Sequence, residues 1–266
     1  VTGAGGFLGS HICRHFASKG HKVIPFGRSL AQNTILSQLK FESVFDEELP
    51  SKNFEYLLKN TESPTIIHAA GTSSVQYSLF NPFRDFDQTV NTFAFVINSV
   101  REFSPDSRVI LLSSAAVYGS PTSLPITERS ACKPISSYGY HKLMCEMLAE
   151  EYSSLFNINT LVLRIFSAYG NGLTRQVLYD FCMKFLTQNE VIVHGTGEER
   201  RDFIHVLDIV RAIEILLRNE STGIFNVASG TSISIGKLAC MIKEYLRIDK
   251  EILFTGDVRK GDPVIW

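Results

Sequence analysis

Tyr138 and Lys142 have the residue types and spacing of a proton-transfer site. The apolar residues that follow recur at helical spacing to about residue 154, so these two side chains share one helix face. A phenol titrates near pH ~10, and a neighbouring ammonium group favours the phenolate. Tyr138 is therefore a candidate general acid/base with Lys142 as its activator. Because such a pair also arises by chance, the rest of the chain must corroborate it.

A glycine-rich turn at the start of the chain predicts a dinucleotide site. Gly3, Gly6 and Gly9 form a GxxGxxG pattern between a strand end and a helix, and a second strand follows at 22–26. The glycines permit a tight turn, close approach of a pyrophosphate and close helix packing, and the phosphates face the helix N-terminus. The predicted cofactor contacts are Gly3, Gly6, Phe7, Leu8 and Gly9.

The tip of the second strand bears on the choice of nucleotide. An acidic residue there binds the 2′-hydroxyl of NAD, whereas an Arg accepts the 2′-phosphate of NADP. The tip is Gly27-Arg28-Ser29, with no acid. The cofactor is thus NAD or NADP, with NADP favoured through Arg28; the alternative is an Arg28 that stacks on adenine or faces solvent.

Two further buried strands are predicted to end at the same crevice. Residues 65–71 end in small residues, so a cofactor can lie over Ala69 and Ala70, while His68 is interpreted as a core histidine. Residues 108–114 end in two serines. Ser114 is the candidate to bind a substrate oxygen together with Tyr138, the alternative being a turn serine.

Composition narrows the class of protein. The 266 residues are 44% hydrophobic and 20% charged with a net charge of −1, which indicates one large domain or two closely joined ones and disfavours nucleic-acid or membrane binding. No apolar run reaches the ~18 residues of a membrane span. The five cysteines are scattered without CxxC pairs, which favours reduced thiols in a cytoplasmic protein and no metal site. The first strand is predicted to lack its beginning.

Taken in order, the glycine turn, His68-Ala69-Ala70, residues 113–119 and the Tyr138/Lys142 pair resemble the NAD-dependent epimerase/dehydratase family of extended short-chain dehydrogenase/reductases, which modify nucleotide sugars. The resemblance implies an α/β fold, a Rossmann-type doubly wound parallel sheet with a smaller, discontinuous α/β substrate lobe. The implied dinucleotide-binding domain is 1–166 plus about 203–226, and the implied substrate lobe is about 167–202 and 227–266, truncated at its C-terminus.

The same resemblance implies further site residues. Ile165, Tyr138 and Lys142 would contact the cofactor, Lys142 by holding its ribose. Ser167 stands where many members have Asn to contact the substrate. Arg201, in the segment 195–208, and Arg259, in an RxGD-like sequence, would bind the substrate diphosphate. A guanidinium can bind phosphate oxygens in a bidentate manner.

The resemblance implies one activity first, a nucleotide-sugar 4-epimerase, and leaves two alternatives. Ala115 and Ala116 stand where related dehydratases carry acidic residues, which leaves a 4-epimerase acting through a 4-keto sugar or an NADPH-dependent 4-keto-sugar reductase. A non-catalytic NAD(P)-binding regulator is the alternative of another class. The substrate would be a nucleotide sugar, and a homodimer is expected through the helices at 83–103 and 136–154.

Overall fold

The computed structural model describes residues 1–257, 261 and 263–266. Its helices are α1 (Phe7–Ser18), α2 (Lys52–Lys59), α3 (Val75–Phe80), α4 (Pro82–Phe86), α5 (Thr92–Phe103), α6 (Ser137–Phe156), α7 (Gln176–Thr187), α8 (Val206–Arg218) and α9 (Ile235–Leu246). Its strands are β1 (Phe26–Gly27), β2 (Phe45–Asp46), β3 (Thr65–His68), β4 (Arg108–Ser114), β5 (Asn159–Ile165), β6 (Ser167–Tyr169), β7 (Val191–Val193), β8 (Arg200–His205), β9 (Gly223–Val227), β10 (Ser232–Ser234) and β11 (Ile252–Phe254).

A parallel sheet forms the centre of the molecule. Strands β3, β4, β5 and β9 follow one another in that order, and β1 pairs with β2. Thr2 joins the two groups because it bridges Phe26 on one side and His68 on the other. All the carboxyl ends therefore meet at one edge, which is where ligands bind in open sheets of this kind.

Helices cover both faces of the sheet, as the alternation of its strand residues requires. Ile66 and Val109 belong to an apolar cluster with residues of α2, α5 and α6, whereas the next residues, Ile67 and Ile110, belong to a cluster with residues of α1 and α8. Successive strand side chains point to opposite faces, so each strand supplies both cores. The structure is doubly wound, as predicted.

A second group of elements lies beyond the central sheet. Strand β8 pairs with β6 in parallel and with β10 antiparallel, and β7 pairs with β11. Helices α7 and α9 pack on β7 around Phe181, Phe185 and Leu238, in a core of their own. No helix in the described part of the chain combines the length and apolar character needed to cross a bilayer.

One predicted helix is interrupted. The segment 83–103 forms α4, a π-helical turn (Asp87–Asn91) and then α5. A π turn adds a residue to the hydrogen-bonded loop and so changes which side chains face inward. Here it leaves Asp85, before the turn, and Phe93, after it, both fully buried.

Candidate active site

The glycine turn fits a dinucleotide by its backbone geometry. Gly3 has a φ of +68°, and a Cβ there would lie 2.5 Å from backbone atoms of Ala69 and Ala70; a Cβ on Gly9 would lie 2.2 Å from the Gly3 carbonyl oxygen. No side chain caps the N-terminus of α1 within the described residues. Its first N–H groups therefore remain available to an anion at the mouth of the cleft.

The cleft has a volume of about 780 Å³ and extends from the glycine turn across the sheet edge to the second group of elements. Most of the predicted site residues line it: Gly6, Phe7, Leu8, Gly9, Ala69, Ser114, Tyr138, Lys142, Ile165, Ser167 and Arg201. Gly3, Arg28 and Ala70 do not line it. Arg259 lies outside the described residues.

The predicted proton-transfer residues converge at the centre of this cleft. Lys142 is buried, its Nζ donates to the Leu112 carbonyl oxygen over 3.0 Å, and it lies 5.9 Å from the centroid of the Tyr138 ring. The backbone N–H of Tyr138 donates to the buried Ser78 hydroxyl over 3.0 Å, which joins the start of α6 to α3. The ammonium and the phenol are thus held on one wall of the cleft.

Ser114 is a turn serine, the alternative considered for it, and it also lines the cleft. Its side chain accepts a hydrogen bond from the Ala116 N–H over 3.2 Å and so begins the short 3-10 turn Ala115–Tyr118. It is half-buried and lines the cleft next to Tyr138. A hydroxyl oxygen that accepts from the backbone still has its own hydrogen to donate to a substrate oxygen.

A buried ion pair beneath the site is a feature that the sequence analysis missed. Arg164 on β5 makes a bidentate pair with Glu146 on α6, with Nη2 2.7 Å from Oε2, and its Nη1 donates to the Tyr118 hydroxyl over 2.9 Å. Glu146 also accepts from Ser113. Burial alone lowers the pKa of Arg164, but these partners outweigh it, so the pKa lies above its usual range. A charged residue in a buried strand requires a partner, so Arg164 within the apolar sequence of β5 was the signal that a buried ion pair should be expected.

A second buried network, also missed, joins the cleft wall to α6. Asp85 is fully buried and accepts hydrogen bonds from the Thr72 hydroxyl and from His141 Nδ1. Thr72 lines the cleft, and His141 precedes Lys142 on α6. The three residues belong to three different segments, so no local pattern could have indicated that they meet.

His68 has the environment of a core histidine. It is 1% exposed, its Nδ1 lies 2.9 Å from the Thr2 hydroxyl, and its ring packs on Phe93. Burial, assisted by the Lys142 ammonium, lowers its pKa to about 3. The imidazole is therefore neutral at physiological pH and holds Thr2 beside β3.

The burial of His68 predicts that the free energy of unfolding depends on pH. In the unfolded chain His68 takes up a proton below about pH 6.5, whereas in the fold it does not until about pH 3, so stability falls as the pH drops through that interval. Between pH 7.0 and pH 5.5 the loss from this residue is on the order of 1 kcal/mol. Urea unfolding at pH 7.0 and 5.5 measures it: His68→Asn should show a smaller loss than the parent by that amount. His21→Asn, at an exposed site, should match the parent.

At the other end of the cleft, Arg201 lies over the Trp266 ring, with 5.4 Å from its guanidinium carbon to the ring centroid, and its Nη1 donates to the Arg200 carbonyl oxygen over 2.8 Å. Arg175, which the sequence analysis did not single out, also lines the cleft, as does Lys184, which pairs with Asp180 over 2.8 Å. Glu199 folds the neighbouring turn by accepting from the Thr196 and Gly197 N–H groups, both over 2.9 Å. The lining here suits an anionic ligand.

Fold and cleft together define a Rossmann-type dinucleotide-binding protein, with Tyr138 and Lys142 among the residues that line the cleft. The match to known proteins is more specific. The model of the NAD dependent epimerase/dehydratase family matches residues 1–228, and the chain belongs to that family. The predicted fold class, enzyme class and dinucleotide cofactor are thereby confirmed.

Individual relatives cover nearly the whole chain. It is 28% identical to a putative UDP-glucose 4-epimerase of Methanocaldococcus jannaschii, over 100% of the chain and 92% of that protein. It is 29% identical to a dTDP-4-dehydro-6-deoxy-D-allose reductase of a Streptomyces species, over 92% of the chain and 80% of that reductase. One similar solved structure is the UDP-N-acetylglucosamine 4-epimerase from Methanobrevibacter ruminantium in complex with UDP-N-acetylmuramic acid. It superimposes with a TM-score of 0.89 at 27% identity, over 99% of the present chain and 86% of the epimerase chain.

Proposed function

We propose that the protein is a nucleotide-sugar 4-epimerase that works through a transient 4-keto sugar. The observation that carries the proposal is the lining of the cleft around Ser114. Tyr138 and Lys142 are present, whereas the serine is followed by Ala115, which is fully buried, and Ala116, which lines the cleft, so neither position offers the acid or base that an elimination would need. An alkyl side chain cannot remove the proton at C5. Oxidation at C4 and its reversal need no further acid or base.

The residues present divide the work as follows. Tyr138 removes the proton from the sugar 4-hydroxyl, and the Lys142 ammonium, fixed by the Leu112 carbonyl, stabilises the resulting charge. Ser114 donates a hydrogen bond to the reacting oxygen. NAD, which the glycine turn would hold, would when bound accept the hydride from C4 and later give it back. After the keto sugar has rotated in the cleft, so that the hydride returns to the opposite face of C4, Tyr138 returns the proton to the oxygen at C4.

The lining of the far end of the cleft supports a nucleotide diphosphate as the activating group. We assign Arg201 and Ser167 to substrate contacts, and Arg259 remains a prediction of the same kind. The division of the chain predicted above, with a dinucleotide-binding part and a substrate lobe, accords with the separate core around Phe181 and Phe185. A cytoplasmic location also remains part of the proposal, supported by the five unpaired cysteines.

Product analysis tests the proposed reaction. The protein is incubated with UDP-glucose, UDP-N-acetylglucosamine and UDP-glucuronate in turn, each with catalytic NAD, and the products are separated by ion-exchange chromatography. An epimerase yields the 4-epimer of at least one of these sugars without net formation of NADH.

The second candidate, a 4-keto-sugar reductase, is favoured by the similarity to the Streptomyces reductase. It would consume stoichiometric NADPH with a 4-keto sugar and leave the UDP-sugars unchanged.

An exposed apolar stripe supports the proposed homodimer. Tyr140, Met144 and Met147 recur along α6, and Phe80 at the end of α3 and Phe83 in α4 are 82% and 81% exposed. Helical spacing of 4 and 3 residues puts the α6 members on one face, and a large exposed apolar patch marks an interaction site.

We expect a dimer by light scattering at micromolar concentration, and Met147→Glu is expected to produce a monomer because it places a charge in the stripe. The matched control is Tyr245→Glu on α9, an 87% exposed position outside the stripe, which should stay dimeric. A monomeric parent, or equal behaviour of the two variants, would contradict the interface.

A further inference from the structure

Two opposite charges meet at the carboxyl edge of β1 and β2. Gly27 and Asp46 are register partners in the parallel pair, Arg28 follows the first strand, and Glu48 lies two residues beyond the second. Arg28 Nη1 donates to Glu48 Oε1, and the two side chains are 62% and 63% exposed. The pair therefore lies at the surface, where both side chains remain accessible to a bound nucleotide.

The pair lies beside the dinucleotide turn. A Cβ on Gly5 would lie 2.1 Å from the Arg28 carbonyl oxygen, so the turn packs directly on the Arg28 backbone. Asn33 fixes the same turn, since its side-chain amide donates to the Gly5 carbonyl oxygen over 3.1 Å. A dinucleotide seated on the turn places its adenosine ribose at the tip of β1. By the same rule this ribose would lie near Arg28, which follows β1, and near its partner Glu48.

The neighbouring carboxylates are already engaged. Asp46 Oδ2 accepts from the Leu30 N–H over 3.2 Å, which folds the loop after β1. Glu47 accepts from the side chains of Ser51 and Asn53 at the start of α2. Among the described residues, the Glu48 carboxylate forms a hydrogen bond only with Arg28, which leaves further acceptor sites on its oxygens.

We propose that Glu48 selects NAD over NADP. Its carboxylate neutralises Arg28, repels a 2′-phosphate, and accepts a hydrogen bond from a 2′-hydroxyl. It thus supplies, from the chain after β2, the acid that the tip of β1 lacks. The proposal rests on the dinucleotide site described above, and it explains how an Arg at the tip of β1 can occur in an NAD-dependent family.

The role of Glu48 is tested by calorimetric titration of the full chain with NAD and with NADP. Any copurified nucleotide is removed first. The parent should bind NAD more tightly than NADP. Glu48→Gln should shift the ratio of the two Kd values toward NADP by on the order of tenfold, because a like charge beside the 2′-phosphate is removed. The control is Glu47→Gln, which removes the same charge one residue away and should leave the ratio unchanged. Adding Arg28→Gln to Glu48→Gln should abolish the gain.

The outcomes distinguish a failure of the proposed Glu48 role from a failure of the dinucleotide site itself. An unchanged ratio in Glu48→Gln, an equal shift in Glu47→Gln, or a parent that prefers NADP would each overturn the role of Glu48 while leaving the dinucleotide site intact. A parent that binds neither nucleotide would overturn the dinucleotide site and Glu48 with it. Circular dichroism of each variant confirms that the fold is retained.

Discussion

Tyr138→Phe is expected to lower kcat by about 10²- to 10⁴-fold, the contribution typical of a positioned general acid/base. The change removes one oxygen and keeps the ring. The backbone hydrogen bond from residue 138 to Ser78 and the contact between Lys142 and the Leu112 carbonyl do not involve that oxygen, so the cleft should keep its shape. The Kd for NAD, measured by calorimetry, should change little, which locates the loss in proton transfer.

Tyr140→Phe is the matched control for this prediction. It removes the same oxygen from the same helix, but Tyr140 is 52% exposed and does not line the cleft. Turnover of the accepted UDP-sugar should equal that of the parent. If Tyr138→Phe also kept the parent's turnover, the acid/base role would be wrong. If no parental turnover were found with any nucleotide sugar while NAD still bound, the chain would instead fit a cofactor-binding regulator.

Local patterns predicted the elements that carry the site. Apolar spacing located α6, and a buried run located β4. These segments are governed by periodicity and by caps such as Ser136, whose hydroxyl accepts from the Gly139 N–H. Both signals are local in the chain, which is why sequence reasoning found them.

The first strand after the glycine turn was predicted less well. The pattern favoured residues 22–26, but regular pairing begins only at Phe26. Pro25 lacks an N–H and contributes only its carbonyl, which accepts from the Phe45 N–H over 3.0 Å. The ladder therefore starts after the proline, and it ends at Gly27, next to the residue pair that we assign to nucleotide choice.

The contacts that hold the site together could not be predicted from local patterns. Asp85 on α4 and His141 on α6 are 56 residues apart, and Arg28 and Glu48, which follow β1 and β2, are 20 apart. Arg28 alone favoured NADP, and no local pattern indicated its partner Glu48, on which the proposal above depends. Such pairings depend on how separate segments pack together, and neither periodicity nor composition encodes that.

Glu146→Ala is expected to lower the free energy of unfolding by about 3–5 kcal/mol. Glu146 and Arg164 are both 4% exposed, so the change leaves a buried guanidinium without its counter-charge. Its remaining partners, the Tyr118 hydroxyl and the Glu128 carbonyl oxygen, accept hydrogen bonds but carry no full charge. Urea unfolding at pH 7 measures the loss. The control Glu150→Ala, one turn further along α6 and exposed, should stay within about 0.5 kcal/mol of the parent.

A double variant shows whether the loss comes from the unpaired charge. Glu146→Leu combined with Arg164→Met replaces both members by apolar side chains of similar length, so no buried charge remains, and it should be more stable than Glu146→Leu alone. Ser113 and Tyr118 would each lose a partner, so recovery should be incomplete. If the two changes were simply additive, the ion pair would not be the source of the loss, and the packing of α6 against β4 and β5 would have to explain it.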